Sequence, residues 1–357
     1  MRKLLLGIGL LPALILQAQN QEKKPITLSG YIDTYYQYDF GEPRQDTRPD
    51  FLYSYNRHNQ YTVNVGLIKA SYQQVKFRAN LALAAGTYID ANYSSESKWA
   101  KHIFEANVGV KLSAKKNVWL DAGIFPSHIG FESAIGKDNW TLTRSIQAEN
   151  SPYYETGVKL SYTSANGTWF LSALVLNGWQ RIQLKPFPRL PSFGHQLTYK
   201  PSANFTLNSS SFIGAGFSDT TWRWRYFHNL YAQFQFNEKW GLISGFDMGA
   251  QKNTKNSHSL TYWLSPVVIA QYKPTPKLAF AGRVEYYHDP EETMISVQPF
   301  YEFFTWGYSL NVDYRILENV LWRTELRSLN SDNAVYVNKG MPSKSNLMAI
   351  TSIAVSL

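Results

Sequence analysis

Apolar and polar residues alternate over stretches of roughly ten residues along most of the chain, a length that suits a membrane-crossing strand. In the first stretch, Ile26, Leu28 and Ile32 share one parity, and Asp33 and Gln37 fall on the other. Successive side chains of a β-strand point to opposite faces of its sheet. Each stretch therefore predicts a strand with one apolar and one polar face.

The same alternation recurs in later stretches and keeps the charged residues on one face. These stretches lie at 77–83, 104–112, 308–316, 320–327 and 347–357. One strand departs from the pattern, because Trp119 shares the parity of Asp121 while Leu120, Ala122 and Ile124 hold the other. A β-bulge is one explanation, since an extra residue shifts the parity of the rest of its strand.

Short turn-like segments separate pairs of these strands and alternate with longer polar segments. The short segments lie at 73–76, 113–117, 164–167, 201–204, 237–239, 274–277 and 317–319. A soluble β-sandwich also alternates, but short turns on one rim and long loops on the other are typical of outer-membrane barrels. The spacing of the turns predicts an all-β, antiparallel up-and-down transmembrane barrel of about 16 strands.

Aromatic residues make up 15% of the chain and stand on both sides of most short turns. Tyr72 and Phe77 flank the first turn, and Tyr314 and Trp322 flank the last. Aromatic rings prefer the membrane interface, so these pairs predict an aromatic girdle. The alternative is that aromatic residues simply favour strands, which explains their number but not their recurrence beside the turns.

The two ends of the chain indicate export to a membrane. Arg2 and Lys3 precede an apolar stretch from 4 to 16, too short for a transmembrane helix, and Ala18 suits a cleavage site. We expect a signal peptide at 1–18 and an outer-membrane barrel at 19–357, inserted by the barrel-assembly machinery among outer-membrane lipids. The closing strand ends in Leu357, whereas outer-membrane barrels usually end in an aromatic residue.

Catalytic and metal-binding patterns are absent from the sequence. The chain has no Cys, and its seven histidines are isolated along it: His58, His102, His128, His195, His228, His258 and His288. A serine hydrolase needs a base beside its serine and a group that orients the base, and no local pattern supplies both. The acidic run after His288 lacks a calcium-loop pattern. We expect no enzymatic activity, cofactor or metal.

The formal net charge is +9, which favours anionic solutes or lipopolysaccharide as partners. The basic residues are spread over all strands rather than clustered, so nucleic acid is not an expected partner. Net charge bears on attraction and gives only a weak indication of anion preference, because exposed loop lysines could hold the excess.

Five segments combine aromatic, glycine and charged residues in a recognisable pattern: 29–36 (SGYIDTYY), 55–58 (YNRH), 121–130 (DAGIFPSHIG), Arg144 with 148–154 (AENSPYY), and 283–290 (RVEYYHDP). These segments resemble the β-barrel porin-2, OmpL-like family of Gram-negative outer membranes. The resemblance spans nearly the whole chain after the signal peptide. It implies an outer-membrane porin, and general porins often form homotrimers, but it implies no particular solute.

The longest loop, from 126 to 153, is the candidate constriction. A long loop of a sixteen-stranded porin often folds into the lumen, although this one could also stay outside. The candidate pore-lining residues, on loops and on the polar strand faces, are Arg57, Lys137, Asp138, Arg144, Glu149, Arg283, Glu285, Arg315, Arg323, Glu325 and Arg327.

We predict a passive diffusion channel for small hydrophilic solutes or ions, with a weak anion preference. Selectivity would come from the charges and width at the narrowest point. Two alternatives remain: a non-conducting structural or adhesion barrel, and an outer-membrane lipid hydrolase.

Overall fold

The computed structural model describes residues 25–184, 190–215, 223–253, 259–297 and 302–357. The predicted signal peptide and His258 lie outside these residues. The strands are β1 (Ile26–Asp39), β2 (Gln60–Gln73), β3 (Phe77–Ala85), β4 (Ile103–Lys111), β5 (Asn117–Pro126), β6 (Tyr154–Thr163), β7 (Trp169–Leu176), β8 (Ser192–Ser202), β9 (Phe205–Ala215), β10 (Trp224–Gln235), β11 (Trp240–Lys252), β12 (Leu260–Thr275), β13 (Leu278–Asp289), β14 (Phe303–Leu317), β15 (Val320–Ser331), β16 (Tyr336–Asn338), β17 (Met341–Ser343) and β18 (Ser345–Ser356).

Sixteen of these strands form one closed antiparallel barrel, as the sequence predicted. Each strand pairs with its neighbour in sequence, except that β18 pairs with β15 because β16 and β17 form a separate hairpin. The barrel closes where β1 meets β18, in a register that runs from Tyr31↔Ser356 to Asp39↔Met348. Closure leaves the barrel without an unpaired sheet edge, as a β-sheet that spans a lipid bilayer requires.

All seven predicted short turns join consecutive strands at one rim, and the longer connections lie at the other. Within the longer connections lie α1 (Thr87–Asn92), a 3₁₀ helix (Gly136–Asp138) and α2 (Ile146–Glu149). None of the helices in the described part of the chain is long and apolar enough to cross a membrane. Both ends of the barrel sequence lie at the short-turn rim, which is the periplasmic rim of such barrels.

The outer wall is apolar and the lumen is polar. Leu28, Ile68 and Leu310 are each more than 70% exposed, an exposure that a soluble sandwich would avoid but lipid accommodates. Inward positions hold buried polar residues such as Asn208 and Asn311. Aromatic pairs stand beside the short turns, with the Trp169 and Tyr199 ring centroids 4.4 Å apart.

Trp119 is not explained by a bulge, because β5 pairs with both neighbours without a register shift. Its ring instead faces the lumen with Asp121, where the Arg78 guanidinium lies 4.3 Å from the ring centroid. The indole N–H donates to Asn117 Oδ1 over 2.7 Å. A cation over the ring and a partner for the N–H make an aromatic residue stable on the polar face.

Candidate functional site in the barrel lumen

The loop at 127–153, between β5 and β6, folds into the barrel and crosses its lumen. Its neck is closed by the Ser127 N–H, which donates to the Tyr153 carbonyl over 3.0 Å. Within the loop, Ser145 caps α2 by accepting from the Ala148 N–H, as N-cap serines do. Glu132 accepts hydrogen bonds from the N–H and the hydroxyl of Ser145, which fixes the loop internally.

Carboxylates and an amide on β13–β15 accept the main-chain N–H groups of the loop. The Thr143 N–H donates to Glu325 Oε2 over 2.5 Å, and the Ile146 N–H donates to Glu285 Oε2 over 2.6 Å. The Leu142 N–H donates to Asn311 Oδ1 over 3.0 Å. A loop that folds into the lumen must satisfy its buried main-chain groups, and these wall residues do so.

Three arginines of the same strands bind the carbonyl groups of the loop. Arg283 donates to the Thr143 carbonyl over 2.7 Å, and Arg327 donates to the Arg144 carbonyl over 3.0 Å. Arg323 donates to the carbonyls of Gly136 and Asn139 over 2.6 and 2.9 Å. Because one guanidinium offers five N–H donors, each arginine binds the loop and a wall carboxylate together.

Those wall carboxylates neutralise the arginines. Arg283 Nη2 lies 3.0 Å from Glu325 Oε1, and Arg327 Nη2 lies 2.6 Å from Glu285 Oε1. Asp313 accepts two bonds from Arg323, over 2.7 and 3.0 Å. We call the residues Arg283, Glu285, Asn311, Asp313, Arg323, Glu325 and Arg327 the docking wall. All are buried, and their charges hold the loop.

The loop also contacts the opposite side of the barrel. The His128 Nε2–H donates to the Ser211 carbonyl on β9 over 2.8 Å, and the Gly130 N–H donates to Asn229 of β10 over 3.3 Å. Burial alone would lower the pKa of His128, but the Glu155 carboxylate 2.7 Å away raises it. Attached at β9, β10 and the docking wall, the loop divides the lumen.

Arg144 and Glu149 are buried inside the loop rather than exposed to the lumen. The Arg144 guanidinium lies 4.5 Å from the Tyr88 ring centroid and donates to the Ser133 carbonyl over 2.9 Å. Glu149 accepts hydrogen bonds from the N–H groups of Tyr53 and Ser54, in the β1–β2 connection, over 3.1 and 3.2 Å. The sequence indicated both residues as candidate pore-lining charges. Their partners show that they instead hold the loop together and bind it to neighbouring connections.

The remaining predicted residues are more accessible. Lys137 and Asp138 form an ion pair of 3.4 Å with side chains 40% and 52% exposed. Arg315, at the end of β14, is also exposed. Arg57 lies half-buried in the β1–β2 connection, where its N–H donates to the Tyr35 hydroxyl over 3.0 Å.

Two pairs of wall charges lie on the strands away from the docking wall, in keeping with the mixture of signs in the sequence. Arg78 donates two hydrogen bonds to Asp121, over 2.7 and 2.5 Å, and Lys69 lies 2.5 Å from Glu105. The cationic partners remain about 30% exposed and the carboxylates nearly buried. A cavity of about 370 Å³ separates the loop from β2 and β4 on this side.

Sequence reasoning missed the residues that connect the loop to other elements. Thr141, Thr143 and Asn311 donate or accept at the docking wall, and Tyr88 stacks on Arg144. The inward parity of Asn311 was the available signal, because Thr141 and Thr143 belong to no regular element and Tyr88 lies in α1, far from the loop in sequence.

The histidines are not all isolated in space, contrary to the sequence-based expectation. His195 of β8 and His228 of β10 have ring centroids 6.1 Å apart on the outer wall. Their partners are two β9 serines: His195 Nδ1 lies 2.5 Å from Ser211 Oγ, and Ser209 Oγ lies 3.4 Å from His228 Nε2. Among the described residues, no group of three metal-binding side chains is present.

A closed sixteen-strand barrel with a loop across its lumen defines an outer-membrane porin channel. The chain belongs to the β-barrel porin-2, OmpL-like family, whose model matches residues 25–357. No curated protein matches it in a sequence search.

Solved porin structures share the fold at low sequence identity. An anion-selective porin from Comamonas acidovorans is 10% identical with a TM-score of 0.62, and 93% of this chain and 99% of that chain are covered. The outer membrane channel DcaP of Acinetobacter baumannii is 10% identical with a TM-score of 0.60, covering 93% and 97%. OmpT of Vibrio cholerae, in a trimer form, is 10% identical with a TM-score of 0.59, covering 93% and 99%.

Proposed function

We propose that this porin is a passive diffusion channel for small hydrophilic solutes or ions, and that the loop at 127–153 sets its narrowest point. The observation that supports this is the attachment of the loop to the docking wall, which leaves open space on the side of β2 and β4. A sixteen-strand barrel is wide enough for an aqueous channel. An inward loop held by buried charges would narrow that channel without closing it.

Charge along the remaining passage favours a weak anion preference. Lys69 and Arg78 stay partly exposed while their carboxylate partners are nearly buried. A solute passing along this side meets more cationic than anionic surface, and the field of exposed charge acts on ions within about 10 Å at 0.1 M salt. Pairing keeps the preference weak.

The assembly of the protein is also part of the proposal. We infer that residues 1–18 are removed as a signal peptide, and that the barrel-assembly machinery inserts residues 19–357 among lipid and lipopolysaccharide. We infer a homotrimer, because the general porin fold is often trimeric and one similar structure is of OmpT in a trimer form.

Protein purified from outer membranes tests the channel, the processing and the assembly together. We expect an intact mass that corresponds to residues 19–357, a heat-sensitive trimer on gels, and discrete conductance steps in a planar bilayer. A folded, heat-modifiable barrel that conducts no current would contradict the channel and leave a structural or adhesion barrel. A monomer that conducts would contradict the trimer alone.

The outer-wall histidines favour one second candidate, a lipid hydrolase, because Ser211 lies within hydrogen-bond reach of His195 on a lipid-facing surface. Among the described residues, however, only serine hydroxyls bond to the His195 ring, so no carboxylate or amide orients it as a catalytic base. We therefore expect no hydrolysis of short-chain acyl esters or phospholipids by the folded porin. Turnover that disappears in Ser211→Ala but persists in the outward-facing control Ser244→Ala would overturn this expectation.

A further inference from the structure

A second cavity, with a mostly polar lining, lies on the periplasmic side of the loop, apart from the space beside β2 and β4. It has a volume of about 270 Å³ and is enclosed by the loop segment 137–140 and the short-turn ends of β12, β13 and β14. The charged side chains that line it are Lys137, Lys273, Lys277, Arg315, Asp138 and Asp313. None of the docking-wall arginines lines it.

The two carboxylates of this cavity are already paired, which leaves an excess of cationic side chains. Asp313 is paired with Arg323, from which it accepts two bonds, and it accepts a third from Asn311 over 2.7 Å. Asp138 pairs with Lys137. In the described part of the chain, none of the residues Lys273, Lys277 and Arg315 forms an ion pair within 4.0 Å. Three cations thus face one small space without a carboxylate partner.

The arginines deeper in the lumen cannot serve a solute in the same way. Arg283 and Arg327 are buried and bonded to wall carboxylates and loop carbonyls. A passing anion would have to break these bonds before it could bind. Of the four described arginines predicted on β13–β15, Arg315 is the exposed one, and it lines this cavity.

The short-turn rim is also more positive than two of the long connections at the other rim. The long connections at 40–59 and 86–102 hold five acidic and five basic side chains. The seven short turns together hold five lysines and two glutamates. The periplasmic mouth is therefore more positive than these two long connections.

We propose that the cavity formed by Lys137, Lys273, Lys277 and Arg315 is a binding site for small phosphorylated anions, and that it sets the anion preference of the channel at its periplasmic mouth. This inference rests on the proposed diffusion channel. The cavity volume of about 270 Å³ would admit a phosphate group with a small organic part but not a polymer. Arginine binds phosphate oxygens as a bidentate fork and lysine as a point charge.

The test compares two triple variants that remove equal charge at the same rim. Lys273→Gln, Lys277→Gln and Arg315→Gln together neutralise the cavity. Lys76→Gln, Lys115→Gln and Lys116→Gln neutralise other short turns, between β2 and β3 and between β4 and β5, and serve as the matched control. Heat modifiability on gels establishes that each variant barrel is folded.

Reversal potential in a KCl gradient and block by inorganic phosphate are the two readouts. We expect phosphate added on the short-turn side to lower the wild-type conductance, with little effect from the other side. In the cavity variant, we expect the chloride-to-potassium permeability ratio and the phosphate affinity each to fall by roughly twofold or more, because nearby charge is removed. The control variant should keep both.

Each other outcome overturns a different part of the proposal. Equal losses in both variants would mean that general rim charge, and not this cavity, acts on anions. A folded cavity variant with unchanged selectivity and phosphate block would also overturn the site, while the conducting channel stands. A wild-type protein that never conducts would instead contradict the proposed function itself.

Discussion

Replacing Glu325 with Gln is expected to release the loop from the docking wall and raise the single-channel conductance by roughly twofold or more, because the loop would no longer narrow the lumen. Glu325 accepts from both the N–H and the hydroxyl of Thr143 and pairs with Arg283. A Gln side chain has one acceptor oxygen, and its NH₂ group would face the N–H donors of Thr143 or Arg283. Breaking one member of a buried charged pair typically costs about 3–5 kcal/mol.

The barrel itself should survive this change, since its sixteen strands are joined by main-chain hydrogen bonds, in which the Glu325 side chain takes no part. A suitable control is Asp121→Asn, which breaks the wall pair with Arg78 but removes none of the hydrogen bonds between the docking wall and the loop. Trypsin cleavage after Lys137 provides a second readout of loop release. If both variants raise the conductance equally, or if Glu325→Gln leaves loop and conductance unchanged, the docking wall does not hold the constriction.

The strand pattern was predictable from the sequence because it depends on local rules. A two-residue period and turn residues at regular intervals predict about sixteen strands and the seven short turns. The parity rule was misread only at Trp119, where a cation over the ring makes the polar face acceptable. Aromatic residues are both apolar and able to bind cations, so parity alone does not assign them to lipid.

The site was less predictable because its contacts join distant parts of the chain. Leu142 bonds Asn311, 169 positions away, and Thr143 bonds Glu325, 182 positions away. The sequence indicated which residues were charged and inward, but not which of them the loop would cover. This is why Arg283, Arg323 and Arg327 looked like pore-lining cations and are instead bonded to the loop.

The outer-wall histidines show that contacts between adjacent strands were also not predictable from the sequence. His195, Ser211 and His228 are consecutive partners across β8, β9 and β10. Cross-strand neighbours depend on register, which the turn lengths constrain only approximately. Spacing along the chain therefore could not reveal the outer-wall cluster.

Arg144→Met is expected to loosen the loop internally without detaching it from the docking wall. The guanidinium lies between the Tyr88 and Tyr153 rings and donates to the carbonyls of Ser133 and Ala134. Met would fill much of the same space but would leave both carbonyls without these donors, and each buried unsatisfied group costs about 1–3 kcal/mol. We expect a fluctuating channel, with current noise and brief closures rather than a uniformly higher conductance.

Hydrogen exchange distinguishes this outcome from the release expected for Glu325→Gln. In Arg144→Met, the N–H groups of Glu149 and Asn150, which bond within α2, should lose protection, whereas the Thr143 N–H at the docking wall should keep most of it. Arg144→Lys should be intermediate, since an ammonium keeps the charge but not the planar fork. The control is Arg57→Met, whose side chain forms no hydrogen bond or ion pair in the described part of the chain. Equal loss of protection at Thr143 and Glu149 would mean that the loop moves as one unit and that Arg144 and the docking wall act together.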